Sequence, residues 1–363
     1  MKNCVFCGQE LLPNNPEEHI ILNAIGGRLG TTDIDCGKCN AEQNKEIDCV
    51  LADELNYITN LLNVKRERRG SPAAIFADSA ENNEKVKLVP GGKPELIKPI
   101  VSVQKENGLH QVSITARSES EFRQILNGYK KNGYGIDVDK EVRDAQWQSS
   151  DPGTVQITAS VGSSEALRSI CKSALLFYLK GGGQIEHVGD AIAYVKGEKS
   201  RDFVGHFRPA DSSAEPLSVT HTIYVKGDSK EKVLYAWVEY YGTYGFGIIL
   251  NENYQGQEFE VSYCFDVLEQ KEVTSSTTEA ITKKALFEAV KEKKFSKDIL
   301  AKKHEELNRI IQERQIQEFI SEKAVELASK HFQMETEITP EKLEAYYREL
   351  EQEITTMVQN QFQ

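Results

Sequence analysis

The chain has 363 residues, of which 44 are Lys or Arg and 56 are Asp or Glu, for a formal charge of −12. That length suits two or three domains, and 39% hydrophobic with 28% charged residues is the composition of a folded soluble chain with real cores. A uniformly basic coat for passive nucleic-acid binding is excluded, although a local basic site is not.

The first 49 residues hold five of the seven cysteines, and four of these form Cys-x-x-Cys pairs, Cys4 with Cys7 and Cys36 with Cys39. An odd count in a chain that opens without a signal-peptide-like apolar stretch argues against a disulfide framework. Each pair offers two thiolates from a tight turn, and two such turns make the four tetrahedral ligands of a structural Zn2+. A four-thiolate site has no open position, so this metal is not expected to be catalytic. The residues between the pairs offer little to make a core, so bound zinc is expected to supply much of the local folding free energy. Cys49, Cys171 and Cys264 sit among apolar residues and read as buried structural thiols.

After Cys39, apolar residues recur at Ile47, Val50, Leu51, Leu55, Ile58 and Leu62, the spacing of one helix face. The predicted helix runs from about Asn40 to Val64 and ends in a cationic run closed by Gly70. Asp48 and Asp53 read as solvated helix positions. Residues 1–70 thus form a first unit, and the Pro- and Gly-containing stretch 71–95 reads as a linker.

Residues 96–275 alternate β-branched and aromatic runs with helical segments, which favours a mixed α+β domain. SSEALRSICKSALLFYLKGGG is a helix with Ser163 or Ser164 as N-cap and Gly181 as stop. The aromatic run Tyr235 to Tyr244 reads as a hairpin, either a strand pair of the core or a platform for stacking bases. His110, His187, His206 and His221 are scattered and read as structural. Residues 276–363 are helix-rich, with Leu300, Leu307, Ile311, Ile320 and Leu327 on one amphipathic face. This region is either a layer packed on the middle domain or a dimerising pair, which makes a homodimer one expectation. No apolar run of about 18 residues occurs, so no membrane partner is expected and the cytoplasm is the expected compartment.

The chemistry-bearing stretch lies between the cysteine pairs: PEEHIILNAIGGRLGTTDID, then Cys-Gly-Lys-Cys-Asn. Glu18-His19 opens a short β-branched run, Gly26-Gly27 makes a turn, and Asn40 follows the last cysteine and opens the helix. The ordered combination of Cys-x-x-Cys, acid-His, Gly-Gly and Cys-x-x-Cys-Asn over residues 4–48 resembles the HNH (His-Me finger, ββα-metal) endonucleases, in their form with a four-cysteine zinc frame.

The resemblance implies an α+β fold: a small zinc-stapled ββα-metal nuclease domain ahead of the mixed middle domain and the helical C-terminal region. It implies phosphodiester hydrolysis with a divalent cation, Mg2+ or Mn2+, beside the structural zinc. His19 takes the part of general base, since a neutral imidazole accepts a proton near working pH. Glu18, Asn40 and Asn44, one turn beyond Asn40, offer oxygen ligands to a hard cation. Thr31 or Thr32 stands where the family often has an Asn that orients the histidine. Arg28, Lys38, Lys45 and the run from Lys65 to Arg69 are candidates for phosphate contacts. Residues 1–70 nevertheless carry eight Lys/Arg against eleven Asp/Glu, so binding has to rely on local geometry and metal.

The leading expectation is a DNA endonuclease of restriction or antiphage defence, its middle domain choosing the target or answering an activating ligand or protein. Cleavage of RNA or structured nucleic acid, and a non-catalytic zinc-knuckle binding module, are the competing expectations.

Overall fold

A computed structural model describes residues 2–67, 70–79, 85–106, 109–146, 155–200, 202–209, 216–274, 281–332 and 338–361. The chain divides into two compact units, Met1–Ser213 with Ser218–Phe295, and Ala214–Leu217 with Ser296–Gln363.

The first unit opens with β1 (Glu18–His19), paired antiparallel with β2 (Gly30–Thr31). The connection between them turns at Gly26 and Gly27. Gly26 has φ +92°, and a Cβ on Gly27 would lie 2.2 Å from the Ile21 carbonyl oxygen, so neither position accepts a side chain without movement. Helix α1 (Gly37–Gln43) continues through a π-helical turn, Asn44–Asp48, into α2 (Cys49–Leu61). The helix predicted over 40–64 is therefore interrupted, and it begins inside the second cysteine pair.

Residues 71–95, expected as a linker, carry β3 (Ile75–Ser79), β4 (Lys85–Val89) and β5 (Lys93–Glu95). A hairpin follows, β6 (Ile100–Glu106) with β7 (Leu109–Thr115), then α3 (Glu119–Lys131) and α4 (Val138–Asp144). Leu126, Val138 and Val142 close a small core there, with Ile114 and Phe122 packed against it. Strand β8 (Val155–Gln156) joins the first three in a four-stranded sheet of order β5-β4-β3-β8.

The main core is built by α5 (Ser164–Lys180), α6 (Ala191–Val195) and a six-stranded antiparallel sheet. Its strands are β9 (Val204–His206), β10 (Thr220–Asp228), β11 (Val233–Tyr240), β12 (Tyr244–Asn251), β13 (Phe259–Asp266) and β14 (Lys271–Glu272), in the order β14-β13-β10-β11-β12-β9. Every residue of β11 is buried. Val233, Tyr235 and Trp237 pack with Leu286 and Val290 of α7 (Lys283–Lys291). Their even-numbered neighbours point to the other face, as strand alternation requires, and α5 contacts strands β9 to β12. The aromatic hairpin is thus core; Tyr235, Trp237, Tyr240, Tyr241 and Tyr244 are all buried, and the stacking-platform expectation fails because no ring face is open to a base.

Ser163 caps α5, its hydroxyl accepting from the Ala166 N–H, and Gly181 ends it. The Glu54 carboxylate of α2 accepts from the Gly162 N–H at 2.8 Å and the Ser163 N–H at 3.3 Å, so α2 helps to cap α5. Helix α5 also contacts α2 and the π turn, which places it between the N-terminal helices and the sheet. The second unit holds α8 (Lys297–His331) and α9 (Pro340–Gln361), with Leu307, Ile311 and Leu327 of the predicted amphipathic face buried. The helical region expected from residue 276 thus divides, because α7 belongs to the sheet core. Among the described residues no helix is long and apolar enough to cross a membrane.

Candidate functional site

The four cysteine sulfurs of Cys4, Cys7, Cys36 and Cys39 lie within 4.8 Å of one another. Cys7 Sγ stands 3.7 Å from Cys36 Sγ, close to the roughly 3.8 Å between sulfurs of a tetrahedral site with 2.3 Å zinc–sulfur bonds. Backbone turns aim them: the Gly8 N–H donates to the Cys4 carbonyl at 2.8 Å and the Asn40 N–H to that of Cys36 at 2.9 Å. Asn15 ties the second turn, its Nδ2 donating to the carbonyls of Thr32 at 2.9 Å and Asp35 at 2.6 Å. The cluster fits a structural zinc.

Beside this frame is a cavity of about 450 Å³ lined by Glu17, Glu18, His19, Asn23, Asn40, Asn44, Asp48, Cys49, Asp53 and Arg66 together with three apolar residues. Strand β1 delivers Glu18 and His19, α1 delivers Asn40, and the π turn begins at Asn44. Four of the residues singled out in the sequence are thereby brought together. His19 is mostly buried; its Nε2 stands 3.5 Å from Glu67 Oε2 and makes no hydrogen bond among the described residues. Thr31 faces Glu18 across the strand pair, and its hydroxyl donates to Asp33 Oδ1 at 2.8 Å.

Of the predicted phosphate contacts, Arg66 lines the cavity, Arg28, Lys38, Lys45 and Lys65 do not, and Arg68 and Arg69 lie outside the described residues. Arg28 does not line the cavity; its guanidinium donates to Gln270 Oε1 at 2.5 Å and to the Lys65 carbonyl at 3.2 Å. Lys38 and Lys45 are exposed and also absent from the lining, Lys38 standing 4.0 Å from Glu42. Arg66 is the basic residue among those lining the cavity.

Two sequence readings are corrected. Asp48, expected in solvent, is 3% exposed and accepts from Lys172 Nζ at 2.7 Å and from the Ser169 hydroxyl at 2.6 Å. Cys49, expected to be buried, is exposed and lines the cavity, its thiol donating to the Lys45 carbonyl at 3.0 Å. Asp48 lies three and seven residues before Leu51 and Leu55, on the helix face those leucines bury, whereas Cys49 is one position off that face. Cys171 and Cys264 are buried as expected.

Lys172 also pairs with Glu18, so one ammonium from α5 meets two carboxylates of the N-terminal region. Burial pushes the Glu18 carboxyl up to about 7, against the pull of Lys172. Burial likewise raises Asp35 to about 6, and its two oxygens have no hydrogen-bond partner among the described residues. Burial weakens the Lys172 charge, but Asp48 and Glu18 outweigh it and hold the ammonium protonated above its ordinary range. The one signal of Lys172 in the sequence was a lysine inside an otherwise apolar helical run, SICKSALLFYL.

Residues 4–56 match the family model described as HNH endonuclease. The match and the cysteine cluster within it identify this stretch as an HNH endonuclease domain with a zinc-type frame, which supports a nuclease, and so a hydrolase, with nucleic acid as its partner. Neither the curated proteins nor the solved structures contain a match to the chain.

Proposed function

We propose that the protein is a metal-dependent HNH endonuclease that hydrolyses phosphodiester bonds in DNA, with His19 as general base. The observation that carries this reading is that Glu18, His19, Asn40 and Asn44, from a strand and a helix more than twenty residues apart, line one cavity beside the cysteine frame. A carboxylate and two side-chain amides are hard oxygen donors, so they fit Mg2+ or Mn2+. Glu18, Asn40 and Asn44 would hold that cation. When bound, it supplies Lewis-acid stabilisation of the charge that develops on the phosphate and the leaving oxygen.

The chain's own residues do the rest. The unbonded Nε2 of His19 accepts a proton from the attacking water, and low exposure keeps competing water away. Arg66 meets a phosphate oxygen inside the cavity, while Lys38 and Lys45, exposed on the same helical stretch, meet phosphates outside it. The charge of −12 keeps the protein off DNA that its site does not engage, which suits restriction or antiphage defence in a cytoplasm full of host DNA. Two copies joined through the helical C-terminal unit would set one nick on each strand.

The test is supercoiled plasmid with Mg2+ or Mn2+. Wild type should nick it, EDTA should stop the reaction, and His19→Ala should lose at least about a hundredfold in rate with zinc content unchanged. Equal nicking by His19→Ala would remove the histidine from the mechanism. Cleavage of RNA alone would move the substrate, and binding without cleavage would favour a recognition module.

A further inference from the structure

Helix α5 lies outside the matched stretch, yet it carries the residue that completes the electrostatics of the cavity. Lys172 is 2% exposed, and a lysine buried that deeply persists only where carboxylates replace its water. It has two, Glu18 and Asp48, and both line the cavity while Lys172 does not. The ammonium therefore stands behind the carboxylates as the cavity sees them.

The two acids are not equivalent. Asp48 has both oxygens engaged, Oδ1 by the Ser169 hydroxyl and Oδ2 by Lys172. Glu18 gives Oε1 to Lys172, and its Oε2 has no partner in the described contacts. Asp48 thus has both oxygens held by α5 and serves as an anchor, whereas Glu18 keeps one oxygen for something else. A ligand to a hard cation needs its oxygen held to within about half an ångström, which a second layer of partners achieves.

Resting on the nuclease reading above, we propose that Lys172 is a positioning residue of that site. Anchored by Asp48, which Ser169 holds in turn, it holds the Glu18 carboxylate by one oxygen and leaves the other to the catalytic cation. The nuclease site is then built jointly by the N-terminal region and α5, and a lysine that touches neither substrate nor cation governs how tightly the cation is held.

The experiment is a Mn2+ titration followed by electron paramagnetic resonance on the zinc-loaded full chain, with plasmid nicking alongside. Lys172→Met should weaken Mn2+ binding at least tenfold, and Ser169→Ala a few-fold, with zinc content and circular dichroism as in wild type. Because Lys172 acts through Glu18, adding Lys172→Met to Glu18→Gln should cost little further affinity. Should Lys172→Met not fold, Ser169→Ala alone and combined with Glu18→Gln makes the same comparison. Unchanged Mn2+ affinity in Lys172→Met, or losses that simply add in the double variant, would overturn the proposal. Tighter binding would overturn it too, since the ammonium would then be competing with the cation. A wild type that binds no Mn2+ beyond its zinc overturns the nuclease reading together with this one; normal wild-type binding with an unaffected Lys172→Met overturns this one alone.

Discussion

His221 shows how a single buried residue links the sheet to the site. Its Nε2 lies 2.9 Å from the Ile25 carbonyl oxygen, and its Nδ1 accepts from the Tyr241 N–H at 3.4 Å. The ring is therefore neutral with the proton on Nε2, and a second proton on Nδ1 would confront the Tyr241 amide. Burial pushes its pKa down to about 4. The unfolded chain takes up the proton near pH 6.5, so this contribution to stability is whole above that pH and is lost as pH falls toward 4. Between pH 7 and pH 5 the loss should be about 2 kcal/mol. Urea unfolding at the two pH values measures it, and His221→Gln should flatten the difference. At the cysteine frame burial pushes the thiols of Cys4 and Cys39 up, so the metal-free protein keeps these sulfurs protonated. Each chain should carry one zinc by elemental analysis. Cys39→Ser should lower that content, lower the melting temperature and abolish nicking.

The helix after the second cysteine pair is where element geometry decides the site. Asn40 precedes the π turn and Asn44 opens it, and the buried stripe of α2, Leu51, Leu55 and Ile58, follows it. The wide turn sets the angle between the cavity-facing amides and that stripe. Inserting one alanine after Glu46, which is exposed, should rotate Asn40 and Asn44 roughly 100° relative to the stripe. Far-ultraviolet circular dichroism should barely change while nicking falls by at least about a hundredfold. Retained nicking would show that the amides are not needed at their present angle. This also marks the limit of the sequence. The cysteine pairs and Glu18, His19 and Asn40 were legible because their spacing lies within one continuous stretch. The π turn was not, since nothing in NKEID departs from helical text. Strands β3 to β5 were missed for the opposite reason: turn-forming Gly and Pro sit among short strands with few buried positions.

At the scale of the molecule, what escaped the sequence is partnership across distance. Lys172 meets Asp48 124 residues away, and no local pattern encodes that meeting. The apolar runs forecast a sheet core, and they found it, but they left open which acid a buried lysine would choose. The second unit carries its own prediction. If it joins two copies, the full chain should sediment at twice 40.8 kDa and a chain ending at residue 295 at monomer mass. A full chain that sediments as a monomer would remove the paired-nick geometry.

The Ile25 carbonyl accepts from Tyr241 Oη at 3.0 Å as well as from His221, and Tyr241 Oη meets the Thr59 hydroxyl at 2.6 Å. Nearby, Tyr57 and Tyr244 join their hydroxyls at 2.7 Å. The turn behind His19 is thus grasped by the most deeply buried strands of the molecule. Amide hydrogens of that turn should exchange with deuterium no faster than those of β10 and β11. Calorimetry should then show the zinc-framed region and the sheet leaving the native state in one transition, so that damage to either is felt by both.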